Sequence, residues 1–136
     1  MEVIHFTHGA TDPLLFPGID GAHFLPLADG EGDVHVGCVH LDRGATLETP
    51  SLTHATALLV VHGRLEVTVH THGGTIRISG GMGCIFEKGE PYSLHSEVGA
   101  IVLIVEADSL TAHPRGISTP QRIRGQIWPS DALIPH

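Results

Sequence analysis

An all-β fold, a sandwich or barrel of short strands, is what this chain predicts, and three observations carry the prediction. Strand-like runs are punctuated by glycine, proline or polar turn residues roughly every 8 to 12 residues. In one run Leu65, Val67 and Val69 alternate with Arg64, Glu66 and Thr68, the pattern of a strand with one wet face. No convincing amphipathic helix precedes residue 107. The 136 residues suffice for one domain with a real core, and a hydrophobic content of 41% excludes a disordered chain.

Taken in order, residues 1–30 are short apolar pieces broken by Pro13, Pro17, Gly18, Gly21, Pro26 and Gly30. Within them, residues 3–6 and 22–26 read as edge strands. Residues 33–42 are apolar and rich in β-branched side chains, which predicts a strand partly buried on both faces. Arg43-Gly44-Ala45 is a turn. Residues 46–53 contain Pro50 and read as a loop or an edge strand. Residues 54–61 form the most apolar strand, ended by Gly63. Residues 64–70 and 75–79 pair across a hairpin turn at 71–74. Gly80, Gly81 and Gly83 punctuate, and strands follow at 84–86, 92–96 and 100–106, with a turn at Lys88-Gly89. From Asp108 the composition changes. Asp108-Ser109-Leu110 could start a short helical turn, but Pro114, Gly116, Pro120, Gly125, Pro129 and Pro135 forbid a long helix. The tail carries Arg115, Arg122 and Arg124, with Ile117, Ile123, Ile127 and Trp128 as apolar anchors. A tail with such anchors docks rather than dangles. The chain therefore divides into a barrel over 1–107 and an irregular tail over 108–136 that docks on the barrel or on a partner subunit.

Fifteen Asp and Glu against seven Lys and Arg give a formal charge of −8. Such a surface repels phosphate backbones, so no nucleic-acid partner is expected. No apolar run approaches the roughly 20 residues that span a bilayer, so no membrane partner is expected. Met1 to His5 is neither basic nor followed by an apolar segment, which predicts no secretory signal and a cytoplasmic protein. Cys38 and Cys84 lie in apolar runs and read as two buried thiols rather than a disulfide framework. Twelve histidines raise the prior for a metal or acid–base site without placing one.

The stretch from residue 33 to 106 resembles the cupin family, jelly-roll β-barrels carrying two motifs. The first motif closes on a glycine, matched by Gly63 in Val60-Val61-His62-Gly63-Arg64-Leu65-Glu66-Val67. In the second motif Gly81 matches the opening glycine and Gly89 the second one. There Glu87 stands at the proline place, Tyr92 at the histidine place and Ser96 at the asparagine place. The resemblance implies a cupin-like jelly-roll barrel. In the family two His and a Glu of the first motif and the His of the second bind one metal. Here the Glu place is Thr56 and the second-motif His place is Tyr92. The two first-motif His places are Pro50 and Leu52, or Thr49 and Ser51 with the longer spacing. All four positions are substituted, so neither the standard metal site nor a family activity carries over.

What remains is an altered barrel mouth. Residues two apart on a strand share a face. His54 should therefore point where Thr56 points, inward, and Tyr92 faces inward by alignment. Of His35 and His40, which have opposite parity, His35 is favoured as the inward one. The expected ligand pocket is His35, His54, Thr56 and Tyr92. His95 lies on the opposite face from Tyr92 unless a bulge turns it in. A metal held by His54 and His95 is the alternative, with Zn, Fe, Ni or Cu as the ion. His70-Thr71-His72 sits at a hairpin turn, where it suits an adventitious surface site. Cys84 with His95 as a nucleophile lacks a third, orienting group. Glu106 could reach the mouth as a general base.

Two readings follow. The first is a small-molecule-binding protein of unknown ligand, with no cofactor and without the standard cupin chemistry. The second is a metalloenzyme with one divalent transition metal on a rearranged histidine site, performing oxidation, isomerisation or cyclisation of a small organic substrate. A homodimer is expected in either case, because sheet edges need cover and the resemblance implies pairing through edge strands and terminal segments.

Overall fold

The computed structural model describes residues 1–13, 21, 23–49, 53–71 and 73–113. Twelve strands account for nearly all of their regular structure: β1 (Glu2–His5), β2 (Asp12–Pro13), β3 (His23–Phe24), β4 (Ala28–Glu31), β5 (His35–Leu41), β6 (Ala45–Glu48), β7 (Ala55–Val69), β8 (Gly74–Ser79), β9 (Met82–Phe86), β10 (Tyr92–Ser96), β11 (Ala100–Ala107) and β12 (Ser109–Ala112). A single 3₁₀ turn at His8–Ala10 is the only helical element among the described residues. Eight strands form one hydrogen-bonded network that folds into two sheets sharing β7. The first sheet runs β5-β11-β7-β9-β1 and the second β8-β7-β10-β6, with every pair antiparallel.

β7 is the element on which both sheets depend. The sequence predicts a stop at Gly63, but the strand passes through it for 15 residues. Its pairing with β11 slips at Ile101/Val102, where Val60 pairs with Val102 and His62 with Ile101, leaving Val61 unpaired as a bulge. The extra residue reverses the inward parity. Thr56, Leu58 and Val60 face the interior before it; Leu65, Val67 and Val69 face it afterwards, all buried. Gly63 takes φ +90°, and a Cβ there would run into the Gly99 carbonyl oxygen. Only glycine lets the strand turn from one sheet into the other at this point.

The main core lies between the sheets. Leu58, Val60, Leu65, Val67, Ile78, Cys84, Phe86, Tyr92, Leu94 and Val102 meet there, nearly all fully buried. Ser96 ties the far end, donating its hydroxyl to the Arg64 carbonyl at 2.7 Å. A second, smaller core covers the outer face of the first sheet. Ile4, Ala57 and Ile85 pack under Ala112, Leu110, Leu27 and Ala28 from the β4–β12 ribbon. Two covered faces explain why 101–105 is apolar without alternation.

Several expectations need correction. Residues 109–112 are not a helical turn but strand β12, paired with β4. Leu110 and Ala112 pack on the second core, and strand geometry is what lets a two-residue period reach it. β5 is not buried on both faces: it is the edge of the first sheet, and Val36 is 69% exposed. Cys38 on β5 is accordingly exposed, while Cys84 is buried. The strand expected over 22–26 is confined to β3, which pairs with β2 apart from both main sheets. The strand expected over 3–6 is β1, paired with β9. Residues 46–53 hold the edge strand β6, and residues 50–52 lie outside the described residues. Of the tail, Asp108 donates its N–H to the Glu31 carbonyl and His113 to that of Leu27. Residues 114–136, with their anchors and arginines, lie outside the described residues.

Candidate functional site

One row of cross-strand partners crosses the first sheet near its open end. His35 pairs with Glu106, Glu106 with Thr56, and Thr56 with Phe86. Paired residues on antiparallel strands project from the same face with Cβ atoms about 5 Å apart. The face is the interior one, because Leu58, Ile104 and Cys84, two residues along, belong to the main core. From the second sheet Tyr92 lays its ring on Phe86, centroids 4.2 Å apart and planes within 12° of parallel. His54, two residues before Thr56, comes within 6.1 Å of His35, ring centre to ring centre.

Exposure grades along this assembly. Phe86 is fully buried, Thr56 and Tyr92 nearly so, Glu106 and His54 are half-buried, and His35 is exposed. That gradient is a floor, a wall and a rim. The Phe86–Tyr92 stack makes the floor, Thr56 and Glu106 the wall, and the two imidazoles the rim. The Tyr92 backbone is fixed from β6's end: Thr49 receives its N–H on Oγ1 and donates its own N–H and hydroxyl to the Tyr92 carbonyl. His54 shares a hydrogen bond between Nδ1 and the Thr53 hydroxyl at 2.9 Å.

The polar groups of the wall are under-satisfied. Thr56 is 1% exposed and its Oγ1 has no hydrogen-bond partner among the described residues. A buried hydroxyl without a partner costs free energy, so it marks a place where a partner belongs. Burial, then the charge of Glu106, then Cys84 push the Tyr92 phenol up to about 12. Burial likewise pushes the Cys84 thiol up to about 12, against a smaller lowering by the N-terminal ammonium. Both groups are neutral at ordinary pH. Cys84 is thus a packing residue, with no thiolate to act as a nucleophile.

Of the four pocket residues expected from sequence, Thr56 and Tyr92 both neighbour Phe86, and His54 approaches His35 beside Glu106. His95 does not join them. It sits on β10 opposite Glu66 and Thr46, on the outer face, with its Nδ1 3.0 Å from the Thr46 hydroxyl. No bulge turns it inward, because β10 keeps strict alternation with Tyr92, Leu94 and Ser96 buried. His54 and His95 therefore cannot share an ion in this arrangement. His70 contacts the Ser93 hydroxyl at 2.6 Å, and His72 lies outside the described residues. Among the described residues no group of three or more His, Cys, Asp or Glu could hold a metal ion. The metal of the cupin family does not fit here: a threonine hydroxyl and a neutral phenol stand where that family has a carboxylate and an imidazole.

Sequence reasoning placed Phe86 in a strand without assigning it to the site, and treated Glu106 as a general base that could reach the mouth. Both lie in runs that are apolar on both faces, where alternation gives no inward or outward signal. The register with Thr56 is what assigns them.

No family model matches this chain, and no curated protein matches it. Solved structures do. An RmlC-like cupin from Shewanella frigidimarina superposes with TM-score 0.50 at 17% identity, over 56% of this chain and 67% of that one. The cupin domain of Cnp3 from Schizosaccharomyces pombe gives TM-score 0.51 at 22% identity, over 68% and 71%. A salicylate 1,2-dioxygenase from Pseudoaminobacter salicylatoxidans gives 0.51 at 16% identity, over 59% of this chain and 25% of that one. The likeness is one of fold, and a fold that carries both a dioxygenase and the Cnp3 domain selects no single activity.

Proposed function

We propose that this chain, a cupin by fold, is a small-molecule-binding protein whose ligand enters between the His35–His54 rim and the Phe86–Tyr92 floor, without the standard cupin metal chemistry. The observation that carries this reading is the Thr56 hydroxyl: fully buried, inward-facing and unpartnered. The half-buried carboxylate of Glu106 beside it and the aromatic floor below supply what a compact organic ligand needs: a few polar points over an apolar surface. The test is a fragment screen on the full chain by amide-resolved NMR. Hits are expected to shift Thr56, Phe86, Tyr92 and Glu106 together. Hits that move only surface histidines, or none at all at millimolar concentration, would refute the reading.

A second reading keeps one specific observation: the His35 and His54 rings, 6.1 Å apart at the rim. A metalloenzyme with a rearranged site would use these two imidazoles. It ranks second because nothing among the described residues adds a third donor. Metal analysis of untagged protein decides it: about one equivalent of Zn, Fe, Ni or Cu per chain, lost in His54→Ala, would reverse the ranking.

The proposed assembly is a homodimer in which a second copy covers β5. The other edges of the two main sheets carry a charge, Glu2 on β1, Glu48 on β6 and Arg77 on β8, whereas β5 carries none. Charged side chains are what usually guard an exposed edge. Val36→Lys is expected to convert a dimer seen by light scattering into monomer; a wild-type protein that stays monomeric at high concentration would refute the assembly.

A further inference from the structure

We infer that the ligand of the barrel is a small organic cation, with its ammonium group against Glu106. The inference rests on the barrel-binding reading and adds the charge of the ligand to it.

Glu106 is the one Asp, Glu, Lys or Arg that the strand register places on the inner face among the described residues. Its carboxylate is half-buried and makes no hydrogen bond or ion pair with any described residue. A carboxylate withdrawn from water is costly unless an opposite charge or donors meet it. Among the described residues no Lys or Arg supplies such a charge at this place. All four Lys and Arg of the described residues, Arg43, Arg64, Arg77 and Lys88, are exposed. The amino terminus, which is also near the interior, is held by Glu90 at 3.1 Å. The negative charge is felt inside the barrel, since it helps to raise the Tyr92 phenol. An anionic ligand would meet this charge, and no Lys or Arg among the described residues to offset it. A cationic one would supply the missing partner, and its N–H or hydroxyl groups would satisfy Thr56 Oγ1. The carbon around the nitrogen would rest near the aromatic floor, where a ring adds to the attraction for a cation. The stacked Phe86 and Tyr92 fill the lower interior, so the ligand must be small.

The experiment compares two probes of one shape that differ in charge: choline and its uncharged carbon isostere 3,3-dimethylbutan-1-ol. Each is titrated calorimetrically, in chelator, into the full chain, into Glu106→Gln and into Thr56→Val. Circular dichroism checks that the variants fold. Choline is expected to bind at least about tenfold more tightly than the isostere, the return from one partly screened ion–ion contact with Glu106. Glu106→Gln should abolish that preference. Equal binding of the two probes, or a preference that survives in Glu106→Gln, overturns the inference. If the isostere binds and Thr56→Val weakens it while charge makes no difference, the cation falls and the barrel-binding reading stands. If neither probe binds, both fall.

Discussion

Replacing Thr56 by valine should stabilise the ligand-free protein, which is unusual for a substitution at a fully buried position. The two side chains have nearly the same shape, so no cavity opens and the neighbouring Phe86 and Leu58 need not move. What changes is the hydroxyl. In water it is hydrogen-bonded; in the fold it is 1% exposed and has no partner among the described residues. Removing an unsatisfied buried group returns its desolvation penalty, about 1–2 kcal/mol, and the new methyl adds apolar burial. At roughly 4 °C per kcal/mol for a domain of this size, the melting temperature should rise by about 4–8 °C. The assay is reversible urea unfolding at pH 7 followed by far-UV circular dichroism, with the slope compared to confirm that only stability changed. Thr56→Ser, which keeps the hydroxyl and loses the methyl, should instead cost about 1 kcal/mol. The same Thr56→Val variant should bind barrel ligands more weakly, so stability and function move in opposite directions. A loss of more than about 1 kcal/mol in Thr56→Val would refute the reasoning. It would mean that the hydroxyl is satisfied in the folded protein and marks no ligand position.

Alkaline stability offers a separate check. Tyr92 and Cys84 have folded pKa values near 12, above their ordinary 10.0 and 9.0, so folding favours their neutral forms. Their contribution is fully present below pH 9 and is lost as pH rises from 9 towards 12, at up to about 1.4 kcal/mol per pH unit for each group. Urea midpoints across that range should fall less steeply in Cys84→Ala than in wild type, and equal slopes would count against a buried thiol. Gly63→Ala puts a Cβ at φ +90° into the Gly99 carbonyl and should cost about 2–4 kcal/mol by urea unfolding; a loss below about 1 kcal/mol would mean that the bend is made elsewhere. Phe86→Ala removes the partner of the Tyr92 stack and should cost about 3–5 kcal/mol, measured in the same way, with any smaller loss pointing to a floor that collapses to fill the gap.

The strands were readable because turn chemistry and alternation are local. The Gly73-Gly74 hairpin and the Leu65, Val67, Val69 face show this directly: β7 and β8 pair across that turn with those three residues buried. Burial across the sheet was less readable, because it depends on neighbours that are distant in sequence. β5 has the composition of a central strand, yet among the described residues only β11 pairs with it, and Val36 and Cys38 are exposed. The strand β12 escaped notice for the converse reason. Four residues, Ser-Leu-Thr-Ala, carry no strong preference, and only the ribbon with β4 over the Ile4–Ile85 surface makes them a strand.

The mouth was half readable, and the bulge at Val61 explains which half. Counting in steps of two works within one unbroken strand, and His54 lies just before β7, where its ring approaches His35. The same count carried on to Leu65 would have put that buried side chain outside. One unpaired residue reconciles the two, and nothing in Leu-Val-Val-His-Gly announces it except the glycine that follows. The bulge also determines what the interior can be. Upstream of it, the inward row ends in Thr56 with Glu106 and His35 beside it; downstream, it runs through Leu65, Val67 and Val69 without a polar group. The two halves of β7 are thus turned to the same interior by a one-residue shift, and the Phe86–Tyr92 stack brings their outer ends, Thr56 and Val69, to one mouth. Deleting Val61 would force one half to present its outer residues inward, either Arg64 and Glu66 or Ala55 and Ala57, and neither set can fill that core.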